Sequence, residues 1–228
     1  MERLRLERLH KEASQSSKAA SLFQRGAIPG RSLPSTFSIA FRLVSKLACA
    51  VQAIGKQGVE RLLDVGGGSA AYSIASAQTS ERVHATVLDL PNVLPIAQRH
   101  INEAGLTARI ETRVGDLRRD RFGSGFNLVL ALTICHMLGP EENKDLLRRC
   151  IEALEPQGCL VIPDFILESD KTAPKQAALF ALNMLIGAPA GSTYSADEYI
   201  TRLRAAGFQE IRQIQLPGPA SLMVGTLA

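Results

Sequence analysis

The chain predicts an α/β fold: a doubly wound, mostly parallel sheet closed by a C-terminal antiparallel hairpin and preceded by a helical appendage. Three observations carry this. From Val59 onward, short apolar runs bounded by turn residues alternate with stretches of helical spacing, the pattern of right-handed βαβ units. Directly after the first run comes a triple glycine, in Arg61-Leu62-Leu63-Asp64-Val65-Gly66-Gly67-Gly68-Ser69-Ala70-Ala71. The end of the chain breaks the alternation, because Glu210 to Leu216 and Leu222 to Leu227 flank Pro217-Gly218-Pro219-Ala220 and read as a hairpin.

Residues 1–34 read as a basic helical arm and a linker. Between residues 1 and 31 stand seven basic side chains against three acidic ones, which accounts for the whole net charge of +4. Leu6, Leu9 and Ala13 trace a helical stripe and only Phe23 offers a stacking surface. A partner-packing helix is therefore expected, and nucleic acid is not. Gly26 to Pro34, with Pro29, Gly30 and Pro34, marks the boundary of a main domain over 35–228.

That domain opens with a helix over Ser35 to Ile54, on which Phe37, Ile39, Ala40, Phe41, Val44, Leu47, Ala48 and Val51 recur at helical spacing. Strands are expected at Arg61 to Val65, His84 to Leu88, Ala108 to Val114, Phe126 to Leu132 and Cys159 to Ile162. Helix formers fill Ala70 to Ala77. The best-marked helix starts at Pro140, carries Leu146, Leu147, Cys150, Ile151 and Leu154 on one face, and stops before Pro156-Gln157-Gly158. Ala177, Phe180, Ala181, Met184, Leu185 and Ile186 form another apolar helical stretch, followed by Gly187-Ala188-Pro189-Ala190-Gly191.

At 228 residues and 46% hydrophobic, the chain is long enough for one α/β domain with a full core. No apolar run approaches the roughly 18 residues of a membrane span, and the charged start leads into no export signal, so a cytoplasmic protein without a membrane partner is expected. Cys49, Cys135, Cys150 and Cys159 show neither CxxC nor Cys/His ligand spacing. Buried thiols are expected, with no disulfide and no metal.

The glycine turn carries the chemistry. Glycine lets a ligand approach bare amides, and the helix that starts next presents unpaired N–H groups. Gly66-x-Gly68-x-x-Ala71 fits the loose dinucleotide fingerprint, which alone also admits a nicotinamide-dependent oxidoreductase. The acid two residues before the first glycine and the terminal hairpin argue against that. A second strand-end acid, Asp89, follows Asp64 by 25 residues, where a carboxylate reaches the hydroxyls of a ribose. A third, Asp116 in Val114-Gly115-Asp116-Leu117, stands where an adenine amino group would bind with Leu117 against the ring. One such acid is most often a helix cap or turn residue; three in succession beside a triple glycine point to a nucleotide.

Together with Thr133-Ile134-Cys135-His136-Met137-Leu138-Gly139-Pro140-Glu141-Glu142, these motifs resemble class I, Rossmann-like S-adenosylmethionine-dependent methyltransferases. More narrowly, residues 35–228 are similar to the O-methyltransferase group that includes plant caffeate and bacterial polyketide enzymes. The resemblance implies S-adenosyl-L-methionine as cofactor, no metal, and a small acceptor with a hydroxyl, aromatic or polyketide-like. It implies that Gly66, Gly67 and Gly68 accept the methionyl end of the cofactor and that Asp64 helps hold its ammonium. Asp89, with Leu90 beside it, would bind the ribose, and Asp116 with Leu117 the adenine. His136 falls at the general base; an imidazole is suited to take a proton near neutral pH. His10, His84 and His100 are weaker candidates.

Several positions depart from the group's pattern. An aspartate often follows the base, where this chain has Met137. Two acids often orient the base; Asp164 aligns with the first, and the second falls at Thr193, so orientation rests on Asp164 or on a group the motif does not name. Pro163 removes a ladder donor at the end of what should be a central strand, so a bend that serves the pocket or simply the end of the strand is expected there. Phe180 and Met184 fall where the group covers its acceptor. The group usually dimerises through an N-terminal winged-helix domain, and this chain is too short to hold one, which weakens the expectation of a homodimer. A family member that binds S-adenosylmethionine for other chemistry, or for none, is a further reading.

Overall fold

The computed structural model describes residues 59–187, 190–216 and 219–228. The arm, the linker, the boundary at residue 34, the helix expected over Ser35 to Ile54, His10 and Cys49 lie outside the described residues.

Seven strands form one sheet among the described residues: β1 (Arg61–Val65), β2 (His84–Asp89), β3 (Ile110–Val114), β4 (Phe126–Ala131), β5 (Leu154–Asp164), β6 (Glu210–Gln215) and β7 (Ser221–Thr226). Their spatial order is β3-β2-β1-β4-β5-β7-β6. The first five run parallel, and β7 is antiparallel to both its neighbours. Among the described residues five helices connect or cover them: α1 (Ala71–Thr79), α2 (Leu94–Glu103), α3 (Pro140–Ala153), α4 (Lys175–Gly187) and α5 (Ala196–Ala206). A single 3₁₀ turn, Cys135–Met137, follows β4.

The apolar runs become strands because a parallel sheet is covered on both faces and has no polar side to alternate with. Leu62, Leu63 and Val65 of β1 and Leu128, Val129, Leu130 and Ala131 of β4 are all buried. Facing them, α3 buries Leu146, Leu147, Cys150 and Ala153, the stripe that its sequence spacing predicts. The start of α3 is set by Pro140 in the first turn and by Glu142, whose Oε2 accepts the Gly139 N–H at 3.0 Å. Cys135, Cys150 and Cys159 are buried free thiols, and burial pushes Cys150 up to about 12.

Two sequence expectations need correction. The strand read as Cys159 to Ile162 begins at Leu154, directly after α3, so Leu154 belongs to the sheet and pairs with Phe126 instead of lying on the helix face. The turn residues Pro156-Gln157-Gly158 do not separate helix from strand. They bulge out of β5, where the register to β4 jumps from Leu154 to Cys159, and the bulge is tied down by Gln157 N–H to Ala228 O (3.1 Å) and Leu227 N–H to Gly158 O (3.0 Å). Pro163, second, neither ends nor bends out of its strand. It pairs with Leu222 of β7, and its carbonyl accepts Thr133 N–H at 3.1 Å. The imino nitrogen therefore faces the β4 side, beyond the last β4–β5 pair at Leu130–Val161, where no ladder donor is required.

The hairpin forms as predicted, but its second strand inserts into the sheet and leaves the first at the edge. Leu222, Met223 and Val224 of β7 are fully buried, whereas β6 alternates between exposed and half-buried positions. At the other side of the sheet lies the feature that positions the site. The chain winds outward from β1 through β2 to β3, then returns across β1 to β4, leaving a crevice at the carboxyl ends where the winding reverses.

The glycine turn sits in that crevice. Gly66 (φ +65°) and Gly68 (φ +56°) occupy the left-handed region, and the Gly66 N–H donates to Leu88 O at 2.8 Å. Gly67 is required for space: a Cβ there would lie 2.8 Å from Val87 Cγ1 and 2.9 Å from Asp64 Cγ. Gly67→Ala is accordingly expected to lower stability by about 1–3 kcal/mol in urea unfolding followed by circular dichroism. An unchanged midpoint would mean that β1 and β2 can yield at this point.

Candidate active site

The carboxyl ends of β1, β2, β3 and β4 bring the predicted residues to one edge. Asp64 ends β1 beneath the glycine turn, Asp89 ends β2, and Gly115 N–H donates to Asp89 O at 3.0 Å, so that Asp116 follows beside it. Leu117 and Ile134 converge on Gly66, their side chains lying 3.4 and 2.9 Å from where its Cβ would be. The triple glycine is thus roofed by two apolar side chains from the neighbouring strand ends.

The three acids differ in state. Asp64 is fully buried; its Oδ2 accepts the Ser73 hydroxyl at 2.8 Å, and its Oδ1 has no hydrogen-bond partner. Burial raises its carboxyl from 3.8 to about 6, the Ser73 hydroxyl opposes this, and the charge of Asp89 adds to it. Tyr72, missed by the sequence reading, lies close enough for burial and the Asp64 charge to push its phenol up to about 12. Asp89 is half-buried and accepts two amides, Gly68 N–H at 2.8 Å and Leu90 N–H at 2.7 Å, so it braces the glycine turn directly. Leu90 is itself 42% exposed. Asp116 caps its own loop through Arg118 N–H (2.9 Å) and pairs with Arg119 Nε at 3.3 Å.

The glycine amides are not the bare donors that the sequence suggests, because Gly66 N–H is taken by Leu88 O and Gly68 N–H by Asp89 Oδ2. What fits a cationic ligand group is the orphaned Oδ1 of the buried Asp64, beside a turn that is open at Gly68, where a Cβ would meet nothing within 4 Å.

A second cluster lies across the crevice at the ends of β4 and β5. The 3₁₀ turn presents His136, 7% exposed, with Nδ1 2.8 Å from Asp164 Oδ1. A carboxylate opposite Nδ1 places the proton on that nitrogen and leaves Nε2 as the acceptor. The turn is held by its carbonyls: Asn143 Nδ2 donates to Cys135 O (2.9 Å) and Leu138 O (3.0 Å), Ser192 N–H to His136 O (2.9 Å), and the Tyr194 hydroxyl to Leu138 O (2.6 Å). Phe180 meets the imidazole edge-on at 4.8 Å and stacks on Phe165 at 4.3 Å, while Met184 stands one turn further along α4, half-buried.

Orientation of the imidazole therefore rests on Asp164 rather than on a second acid. Thr193 is buried, but its hydroxyl has no hydrogen-bond partner. What the sequence reading missed is the company of Asp164: the Phe165 amide donates to Oδ1 at 2.8 Å and the Tyr199 hydroxyl to Oδ2 at 2.8 Å. Met137, where the resembled group often has an acid, is largely exposed.

Comparison with known proteins agrees with this geometry. The chain belongs to the O-methyltransferase domain family, whose model matches residues 37–209. It is similar, at 33% identity over 88% of its own length and 57% of the relative's, to the 3-hydroxy-5-methyl-1-naphthoate 3-O-methyltransferase of Streptomyces sahachiroi. Among solved structures it resembles PigF with SAH (26% identity, TM-score 0.69, 94% of this chain and 70% of that one). It also resembles an O-methyltransferase family 2 protein from Planctomyces limnophilus in complex with apigenin (25% identity, TM-score 0.71, 84% and 61%). The chain spans about half the length of the curated relatives it matches. This membership sets aside the nicotinamide reading.

The buried Asp64 has a measurable consequence. Well below pH 3.8 the acid is neutral in both folded and unfolded chains and costs nothing. As pH rises from 3.8 towards about 6 the unfolded chain releases its proton first, so the fold loses up to about 3 kcal/mol and the loss is complete above that window. Asp64→Asn is expected to melt above the wild type at pH 8, with the gap closing towards pH 4. A constant gap across that range would show that the carboxyl does not ionise within the fold.

Proposed function

We propose that this chain binds S-adenosylmethionine along the carboxyl ends of β1 to β4 and uses it to methylate a hydroxyl oxygen on a small aromatic or polyketide-like acceptor. The observation that carries the reading is the buried His136–Asp164 pair at 2.8 Å, facing the glycine turn's side of the sheet from the ends of β4 and β5. Family membership, a relative named for a naphthoate hydroxyl and a neighbour bound to apigenin support the acceptor class.

When bound, S-adenosylmethionine supplies an electrophilic methyl group on a sulfonium. In this reading Asp64 Oδ1 receives the ammonium of its methionyl end while Gly66 to Gly68 line its path. Asp89, with Leu90 beside it, turns its remaining lone pairs to the ribose hydroxyls, and Asp116 with Leu117 serves the adenine. His136 Nε2 accepts the acceptor's hydroxyl proton as the oxygen takes the methyl, and Asp164 stabilises the imidazolium that results. Phe180 and Met184, with Phe165 behind, present an apolar wall to the acceptor ring and keep water from the oxygen. The methyltransferase domain in this reading begins near residue 35, which the family match from residue 37 supports.

Self-association is part of the proposal. The outer face of α4 exposes Leu179, Leu182, Leu185 and Ile186, the last two at 74% and 88%, an apolar strip that a homodimer would cover. No helix among the described residues is long and apolar enough to cross a membrane.

Two outcomes follow. His136→Ala should lower kcat for methylation of a phenol panel by about 10²–10⁴-fold while S-adenosylmethionine still binds in calorimetry; equal turnover by variant and wild type would remove His136 from the chemistry. In sedimentation velocity the wild type should run above monomer mass, and Leu185→Lys with Ile186→Lys should return it to monomer. A wild-type monomer at high concentration would end the dimer reading.

A further inference from the structure

We infer that Tyr199 is a positioning residue for the base: through its hydroxyl bond to Asp164 it fixes the carboxylate that holds His136 and draws negative charge away from the imidazole. The inference rests on the reading of His136 as base. Asp164 is 1% exposed, so both its oxygens need donors from within the protein. Oδ1 has two, His136 Nδ1 and the Phe165 amide, and Oδ2 has the Tyr199 hydroxyl, all at 2.8 Å. With a donor on each oxygen the carboxylate plane cannot rotate, and the imidazole meets one oxygen in one orientation.

Tyr199 is built to stay there. It lies on α5, whose first turn is fixed by a reciprocal pair: Ser195 N–H donates to Glu198 Oε2 (2.8 Å) and Glu198 N–H to Ser195 Oγ (3.3 Å). Its ring packs edge-on to Tyr194 at 6.0 Å, and Arg202 covers the other ring at 3.8 Å. Burial and the Asp164 charge push the Tyr199 phenol well above its ordinary range, so it remains a donor at working pH. Where the resembled group brings a second negative charge towards the base, this chain places the neutral Thr193 and supports its one carboxylate with a neutral hydroxyl. A phenol donor takes up part of a carboxylate's charge, so removing the phenol should strengthen the carboxylate's hold on an imidazolium.

Asp164 from β5 meets the imidazole directly, and beside it in the same turn Cys135 interacts with Asp164, with Tyr199 and Arg202 from α5 and with Cys150 from α3. Only Tyr199 touches the far oxygen of Asp164. The test follows the His136 ring by NMR with ¹³C-labelled histidine, beside the pH dependence of kcat/KM, in wild type and Tyr199→Phe. Both the ring titration and the acid limb should move to higher pH by about half a unit to one unit, with KM for S-adenosylmethionine unchanged. In an Asp164→Asn background Tyr199→Phe should add no further shift. Incorporating 3-fluorotyrosine, a stronger donor with the same ring, should move the ring titration the opposite way even if Tyr199→Phe folds poorly. Identical titrations in all forms, or the same shift with and without Asp164, would reduce Tyr199 to packing and overturn the inference. If the ring titration shifts as expected but methyl transfer persists in His136→Ala, the coupling stands and the assignment of His136 as base falls.

Discussion

A carboxylate taken out of water must find donors, and the site depends on how Asp164 finds its own. Its partners come from the 3₁₀ turn 28 residues earlier, from the next residue in the chain, and from α5, 35 residues on. Each bond satisfies a buried group, so none can be given up without leaving an unpaired charge in the core. The same demand settles the turn that carries His136, whose carbonyls are taken by Asn143, Ser192 and Tyr194. The ends of β4 and β5 are thereby locked to the start of α3 and to α5. The orientation of one imidazole is a by-product of satisfying the interior.

Asp64 shows the opposite economy. It is as deeply buried, yet one oxygen is left without a partner and burial raises the carboxyl to about 6. Residues left short of partners in this way mark places where stability has been conceded to binding. Asp89 and Asp116 make no such concession, because each is partly exposed and has amide donors, Asp89 from Gly68 and Leu90 and Asp116 from Arg118. The three strand-end acids therefore do different physical work: one is buried with an oxygen unpartnered, one braces the glycines, one closes a loop. Nothing in the bare spacing of the acids distinguishes these states.

The sequence was legible where local pattern and tertiary environment agree. Apolar runs became the parallel strands because burial on both faces leaves no other signature, and the triple glycine became a tight turn because two of its residues need positive φ and the third has no room for a Cβ. It was misleading at Pro156-Gln157-Gly158, where turn chemistry is real but serves a bulge within β5. The insertion of β7 between β5 and β6 was hidden for another reason: strand neighbours are chosen by long-range pairing, although the unbroken Leu222-Met223-Val224 beside the alternating β6 carried a hint of which strand would be interior. Tyr199 was illegible altogether. Ser195 and Glu198 announce a helix start, but nothing local says that the residue after Glu198 will reach a carboxylate at the end of β5.

The apolar stretch of α4 reads in the sequence as a single stripe and in the structure divides into two faces. Ala177 is buried, Phe180 and Met184 are half-buried, Phe180 against His136, and Leu185 and Ile186 are exposed to solvent. The inner face touches the base only through ring edges and stacked rings, with Phe180 against His136 and Phe165. Those contacts are non-directional and individually weak, whereas Asp164 is held by an amide and a phenol that lie outside α4. A shift of Phe180 would therefore leave the hydrogen bonds that orient the imidazole in place. An adaptable wall on α4 is thereby separated from a rigidly held imidazole at the ends of β4 and β5, and in the proposed reaction the choice of acceptor would fall to the first and the proton transfer to the second.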